Sequence, residues 1–297
     1  MVLCASLAAC AALATIASSD SFACATCSCG DPTITSMGTE QAYEGRLRVS
    51  LGYLRRSDVQ GVDGVDDEHH DEQRLDLNVA YAPTHWLQLA ASLPLVERRV
   101  TEVDLSSDTL RGSGDLELRA RATLWHDRPF APRHMFGVSA GATLPTAPVQ
   151  RDPMDAALDL DHQIGTLALT PRAGLFYTFL AHPWSLYASV SGAHVFQIYG
   201  DERSGDNLGA TATLQWQPGE VWGVRLGLDG KYEDRAKSGH ALLADTGGAA
   251  IFVTPGVIYS PLMDFVVEAQ LQIPVVNALY GAHTEAPALL VATSYDF

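Results

Sequence analysis

The sequence predicts an all-β protein, an antiparallel up-and-down transmembrane β-barrel of about twelve strands. Three observations carry that prediction. Apolar and polar residues alternate with period two along most of the chain. The connections between the alternating runs sort into short and long ones, in turn. All five tryptophans lie beside short connections.

Composition sets the frame. The chain has 297 residues, with 19 Lys and Arg against 35 Asp and Glu, a formal net charge of −16. That balance excludes a phosphate-binding nucleic-acid partner, which requires a basic face. Apolar residues make up 47%, too many for a disordered chain. Mean hydropathy is +0.04, and beyond residue 17 no apolar run approaches the roughly 18 residues of a membrane helix. Soluble and membrane β proteins both fit these figures, so the spacing of apolar residues must decide.

Residues 1–23 read as an export signal. Leu3 to Ala17 is nearly all Ala, Leu, Ile, Cys and Ser, the length of a signal core, and Ser21-Phe22-Ala23 offers small residues at a cleavage site. Leu7-Ala8-Ala9-Cys10 resembles a lipidation site, but the apolar core before Cys10 is short. Residues 24–44 then form a Cys-bearing periplasmic segment. Cys24, Cys27 and Cys29 are the only cysteines after the signal. Three thiols in an oxidising compartment suit a disulfide plus one free thiol, or capture of a soft metal. They lack the following His of a haem site and the second Cys pair of a zinc ribbon.

The barrel is expected over residues 45–297. Leu47, Val49, Leu51 and Tyr53 alternate with Arg46, Arg48 and Ser50; Leu75, Leu77, Val79 and Tyr81 with Arg74, Asp76 and Asn78. Leu116, Leu118, Ala120, Ala122 and Leu124 alternate with Glu117, Arg119 and Arg121. The same pattern recurs at Leu208–Trp216, Val224–Asp229 and Phe265–Ile273. Less regular strands cover 85–97, 134–146, 164–180, 184–199, 248–260 and 287–297. Short connections fall at Ala82–Thr84, Asp127–Arg133, Ala181–Pro183, Gln217–Glu220 and Ser260–Asp264. Longer polar ones fall near 56–72, 99–113, 147–162, 200–206, 234–246 and 276–286. Greek-key sandwiches do not sort loops this way; outer-membrane barrels do. Trp86, Trp125, Trp184, Trp216 and Trp222 cluster at the short-turn end, as an interfacial girdle requires of a ring that is apolar with one polar N–H. Pro94, Pro145 and Pro274 are read as the outer rim, and Pro171 and Pro255 as bulges.

In a barrel the polar face becomes a lumen. The candidate lumen and solute-facing residues are Arg46, Arg48, Asp76, Glu117, Arg119, Arg121, Arg225 and Glu268. They serve either as a structural ion-pair network or as a selectivity surface. The segment Val62–Glu72 is the most charged, and His69 and His70 make it a candidate divalent-cation site, although a solvated external loop explains it as well. No cofactor is expected. Catalysis is not expected either: no G-x-S-x-G occurs, and Ser189 and Ser191 differ in strand parity from His194.

Gly112-Ser113-Gly114-Asp115-Leu116 opens one alternating strand and Ala142-Thr143-Leu144-Pro145-Thr146 closes another. With the aromatic final strand and the C-S-C-G-D-P-T start, they resemble the outer-membrane transporter-like proteins of the meta-pathway phenol-degradation family, over roughly residues 30–297. Ala147 stands where that family has a glycine. The resemblance implies passage of small, aromatic or hydrophobic compounds across the outer membrane of a Gram-negative bacterium, and no catalytic residues. The alternatives are a structural or metal-responsive envelope protein that displays the Cys cluster, and a barrel lipase using His194. Expected partners are outer-membrane lipid and lipopolysaccharide, the barrel-assembly machinery through Phe297, and a small-molecule solute.

Overall fold

The structure is a computed structural model. It describes residues 44–297 except 61–67, 102–105, 130, 152–154, 156–162, 198–201, 240, 244–245, 263 and 282. The export signal, the segment carrying Cys24, Cys27 and Cys29, and the acidic stretch from Val62 to Asp67 lie outside the described residues.

Twelve strands form the wall: β1 (Leu47–Gln60), β2 (Glu68–Thr84), β3 (Leu87–Thr101), β4 (Leu116–His126), β5 (His134–Leu144), β6 (Ala168–Ala181), β7 (Trp184–Ala193), β8 (Asn207–Trp216), β9 (Trp222–Glu233), β10 (Gly248–Leu262), β11 (Phe265–Leu279) and β12 (Ala288–Asp296). Each pairs antiparallel with its sequence neighbours, and β1 also pairs with β12, with Arg48 opposite Asp296 and Arg55 opposite Leu289. The sheet is therefore closed and leaves no free wall edge. At the seam the Phe297 N–H donates to the Leu47 carbonyl (2.8 Å) and the Leu47 N–H to the Phe297 carbonyl (3.3 Å).

Parity decides which face each residue takes. Along β2, His70, Glu72, Arg74, Asp76, Asn78 and Ala80 are buried, and His69, Asp71, Gln73, Leu75, Leu77, Val79 and Tyr81 are exposed. The inside is polar and the outside apolar. This inverts a soluble core and suits a hydrocarbon surround. Large apolar side chains stand exposed around the wall, among them Leu51, Leu77, Leu89, Leu118, Leu175, Leu228, Val257 and Leu289.

The tight connections all lie at the end where Leu47 meets Phe297. All five tryptophans are exposed there, Trp222 by 60%. Trp184 and Trp216 face each other across β7 and β8 with ring centroids 6.3 Å apart, and Trp222 lies 4.4 Å from Tyr259. This outward band is the girdle expected from the sequence.

Several strands run further than the alternation indicates. β1 continues to Gln60 and β2 starts at Glu68, so His69 and His70 lie in a strand rather than in a loop. A strand over Ser107–Ser113 pairs with β3 and continues the line of β4. The chain breaks between them at Gly114, whose N–H donates to the Pro94 carbonyl (2.8 Å). Pro94 therefore marks an interruption in the neighbouring strand and not the outer rim, since β3 runs on to Thr101. A Cβ on Gly114 would come 2.8 Å from Pro94 Cγ, which explains the glycine. Pro145 does end a strand. Pro274 sits at a register shift between β10 and β11. Pro171 pairs in unbroken register with Ala142, and at Pro255 the pairing with β11 lapses without a shift, so neither forms a bulge.

Candidate functional site

All eight lumen candidates fall on the interior face. Toward the short-turn end, Arg48 makes a two-pronged contact with Asp296, Nε to Oδ1 at 2.5 Å and Nη2 to Oδ2 at 2.6 Å, and Arg46 bonds the same carboxylate. The strand seam is thus also an ion-pair seam. Arg225, 1% exposed on its side chain, bonds Glu268, and its Nε donates to Gln215 Oε1 (3.2 Å). Gln270 donates to Glu268 as well. These groups border a cavity of about 480 Å³ at the short-turn mouth, lined by Arg48, Gln215, Arg225, Val266, Glu268 and Ser294.

Further along the lumen, Arg119 donates through Nε (2.8 Å) and Nη2 (2.5 Å) to Glu117, which also has Arg172 at 3.9 Å. Asp76 pairs with Arg74 at 3.0 Å. Arg121 lies 3.8 Å above the Phe176 ring and 5.3 Å from Tyr187, and donates to Thr178 Oγ1 (3.2 Å). This makes an aromatic patch inside a polar lumen. Gly137 makes room for it, since a Cβ there would lie 2.4 Å from Phe176 Cζ. A small pocket of about 10 Å³, room for one water at most, lies against the wall among Gly52, Asp76, Glu268 and Gln270.

The outer third of the lumen holds groups that sequence reading missed. Glu72 bridges Arg56 (3.3 Å) and Arg98 (2.9 Å), and Lys231 bonds Glu285. Arg98 Nη1 donates to the Gln163 carbonyl (2.7 Å), which ties the connection between β5 and β6 to the wall. Residues 163–167 of that connection are buried. Asp115, 3% exposed, holds them: its carboxylate accepts from the N–H of Ala147 (2.9 Å), the N–H of Thr166 (2.7 Å) and the Thr166 hydroxyl (2.8 Å). The Leu116 N–H donates to Thr146 Oγ1 (2.8 Å). The two motif segments 112–116 and 142–146 thus meet at the point where this connection turns inward.

His69 points outward and His70 inward, so the two imidazoles do not face a common ion. His70 Nε2 lies 3.3 Å from Glu68. Among the described residues no group of three His, Cys, Asp or Glu side chains is arranged to hold a metal. Ser189 and Ser191 carry interior parity, while His194 lies past the end of β7, half exposed, with Nδ1 2.6 Å from Asp206.

No family model and no curated protein matches the chain. Solved structures do. The COG4313 outer membrane channel from Pseudomonas putida F1 superposes with a TM-score of 0.68 at 16% identity, covering 87% of this chain and 98% of that one. The translocator domain of the autotransporter NalP from Neisseria meningitidis gives 0.53 at 11% identity, covering 89% and 93%. At these identities the likeness establishes the fold, a membrane-type antiparallel barrel.

Proposed function

We propose that the chain is a channel in the outer membrane of a Gram-negative bacterium that passes small solutes, aromatic or hydrophobic compounds among them. The observation that carries this reading is the inversion of polarity. A closed wall has an apolar exterior with an aromatic border at the short-turn end, and it encloses paired charges with a cavity of about 480 Å³ at one mouth. The polar lumen supplies water-replacing contacts, and the buried Arg121–Phe176–Tyr187 cluster stiffens the wall beside it. The Pseudomonas channel, similar in fold over nearly all of its length, fits this reading. Within it, the charge ladder keeps the wall rigid and sets which solutes pass, and the connection held by Asp115 narrows the outer opening. Residues 24–44 form a periplasmic segment, and Phe297 ends the strand that engages the assembly machinery.

The test is reconstitution in a planar bilayer. Discrete conductance steps that survive replacement of Cys24, Cys27 and Cys29 by serine support a channel. Absence of conductance, with thiol-dependent metal uptake in its place, would favour an envelope protein that displays the Cys cluster.

A further inference from the structure

A second cavity lies outside the lumen, at the long-loop rim. Its volume is about 460 Å³, and Arg203, Ser204, Asp206, Tyr232, Arg235 and Lys237 are among its lining, with Tyr280 closing one side. A small sheet of Glu202–Arg203, Lys237–Ser238 and Ala241–Leu242 borders it. Tyr232 has outward parity on β9 and is exposed. It stands on the same face as Trp222, ten residues along the strand. At about 3.3 Å per residue and a tilt of about 40°, that separation rises about 25 Å, the height of the hydrocarbon band of such barrels. The pocket therefore sits at the level of the lipid headgroups of the outer leaflet.

Its polar groups are arranged for an anion. The two carboxylates are already used. Asp206 takes His194 and Arg203 (2.5 Å) and the Val195 N–H (3.0 Å), and Asp234 accepts from the Tyr232 hydroxyl (2.9 Å). Burial alone would raise the Asp206 pKa, but those donors hold it below the ordinary carboxylate range, so it stays an internally satisfied anion. Arg235 stacks over Tyr280 at 4.4 Å, and neither Arg235 nor Lys237 has an ion-pair partner among the described residues. Ser204 is 3% exposed and lines the cavity, yet its hydroxyl has no hydrogen-bond partner. A buried hydroxyl left unbonded costs free energy unless a ligand completes it. Beside this polar set, Leu242 is 57% exposed, Leu208 stands opposite Tyr232, and Leu228 continues the apolar wall below.

We propose that this rim pocket binds the phosphate of a phosphorylated glycolipid of the outer leaflet, with Arg235, Lys237 and the Ser204 hydroxyl as its ligands and the acyl chains lying along the wall. A phosphate monoester matches the pocket in charge and in acceptor number. The same chemistry exists in free phosphate, so the test separates the two sources.

The full chain, purified in detergent and stripped of lipid, is titrated with lipid A, with dephosphorylated lipid A and with inorganic phosphate, and binding is read by native mass spectrometry. Lipid A is expected to bind at least roughly tenfold tighter than its dephosphorylated form. Arg235→Ala with Lys237→Ala should lose roughly tenfold, and Ser204→Ala a few-fold. The heat-modifiable gel shift and the conductance should be unchanged in these variants, which separates loss of this site from loss of the channel. Equal binding of dephosphorylated lipid A, or undiminished binding by the variants, would overturn the proposal. Binding of inorganic phosphate without lipid A would overturn the lipid source and leave a soluble-anion pocket.

Discussion

Asp115 and Thr166 are 51 residues apart in sequence, yet one carboxylate oxygen of Asp115 accepts both the Thr166 backbone N–H and its hydroxyl, at 2.7 and 2.8 Å. With the bond from Ala147 this makes three donors on a carboxylate that water scarcely reaches. Asp115→Ala leaves those donors buried and unpaired, at roughly 1–3 kcal/mol for each unpaired group. The variant is expected to keep its barrel, lose thermal stability, and show larger or noisier conductance as the segment around Thr166 leaves the mouth. Unchanged bilayer traces would refute that role for the segment.

Arg225 and Glu268 make a second prediction. Removing Arg225 leaves an almost fully buried carboxylate without its main partner, which costs about 3–5 kcal/mol for a pair of this kind. Arg225→Ala should lower the urea midpoint for unfolding and move the reversal potential in a KCl gradient toward cation selectivity. Arg225→Ala with Glu268→Ala should recover much of the stability. A single variant as stable and as selective as the parent would remove the pair from both roles.

The girdle can be read optically. All five tryptophans are expected at one bilayer interface, so lipids brominated near the headgroup should quench fluorescence more than lipids brominated at the chain end. Stronger quenching from the chain ends would place the rings at the bilayer centre and contradict the orientation of the wall.

Acid should weaken the turn between β4 and β5. The N–H of His134 and then that of Arg133 hold the Asp127 carboxyl below its usual pKa, with Arg128 adding to the effect. A carboxyl with a depressed folded pKa contributes stability above its unfolded pKa, about 3.9, and loses that contribution as pH falls through the folded value. Asp127→Asn should therefore be less stable than the parent at pH 7, and the difference should shrink below about pH 4. The same gap at both pH values would refute the assignment.

What was legible in the sequence follows the hydrocarbon. Leu75 to Tyr81 alternate cleanly because one face of β2 meets lipid and the other the lumen, and there parity assigned Asp76 correctly. Beyond the bilayer both faces meet water, and the contrast disappears. For that reason Arg56, Asp58 and His70 look like loop residues in sequence, although they stand in the lumen wall. Asp296 was missed as the partner of Arg46 and Arg48 because pairing across the seam depends on closure, which no local pattern encodes. Phe176 shows no period that distinguishes it from a lipid-facing ring; only its parity with Thr178, and the glycine at 137 opposite, reveals it.

The mutual backbone bonds between Leu47 and Phe297 also bear on the order of assembly. The first wall strand has no permanent partner on one side until the final residues exist, so closure waits for the whole chain, and short C-terminal truncations should harm assembly more than their length suggests. Conversely, the two ends of the wall, Leu47 and Phe297, lie within bonding distance on one face. A circular permutant joined there and reopened at the turn between β9's neighbour β8 and β9 itself would retain every rung of the ladder.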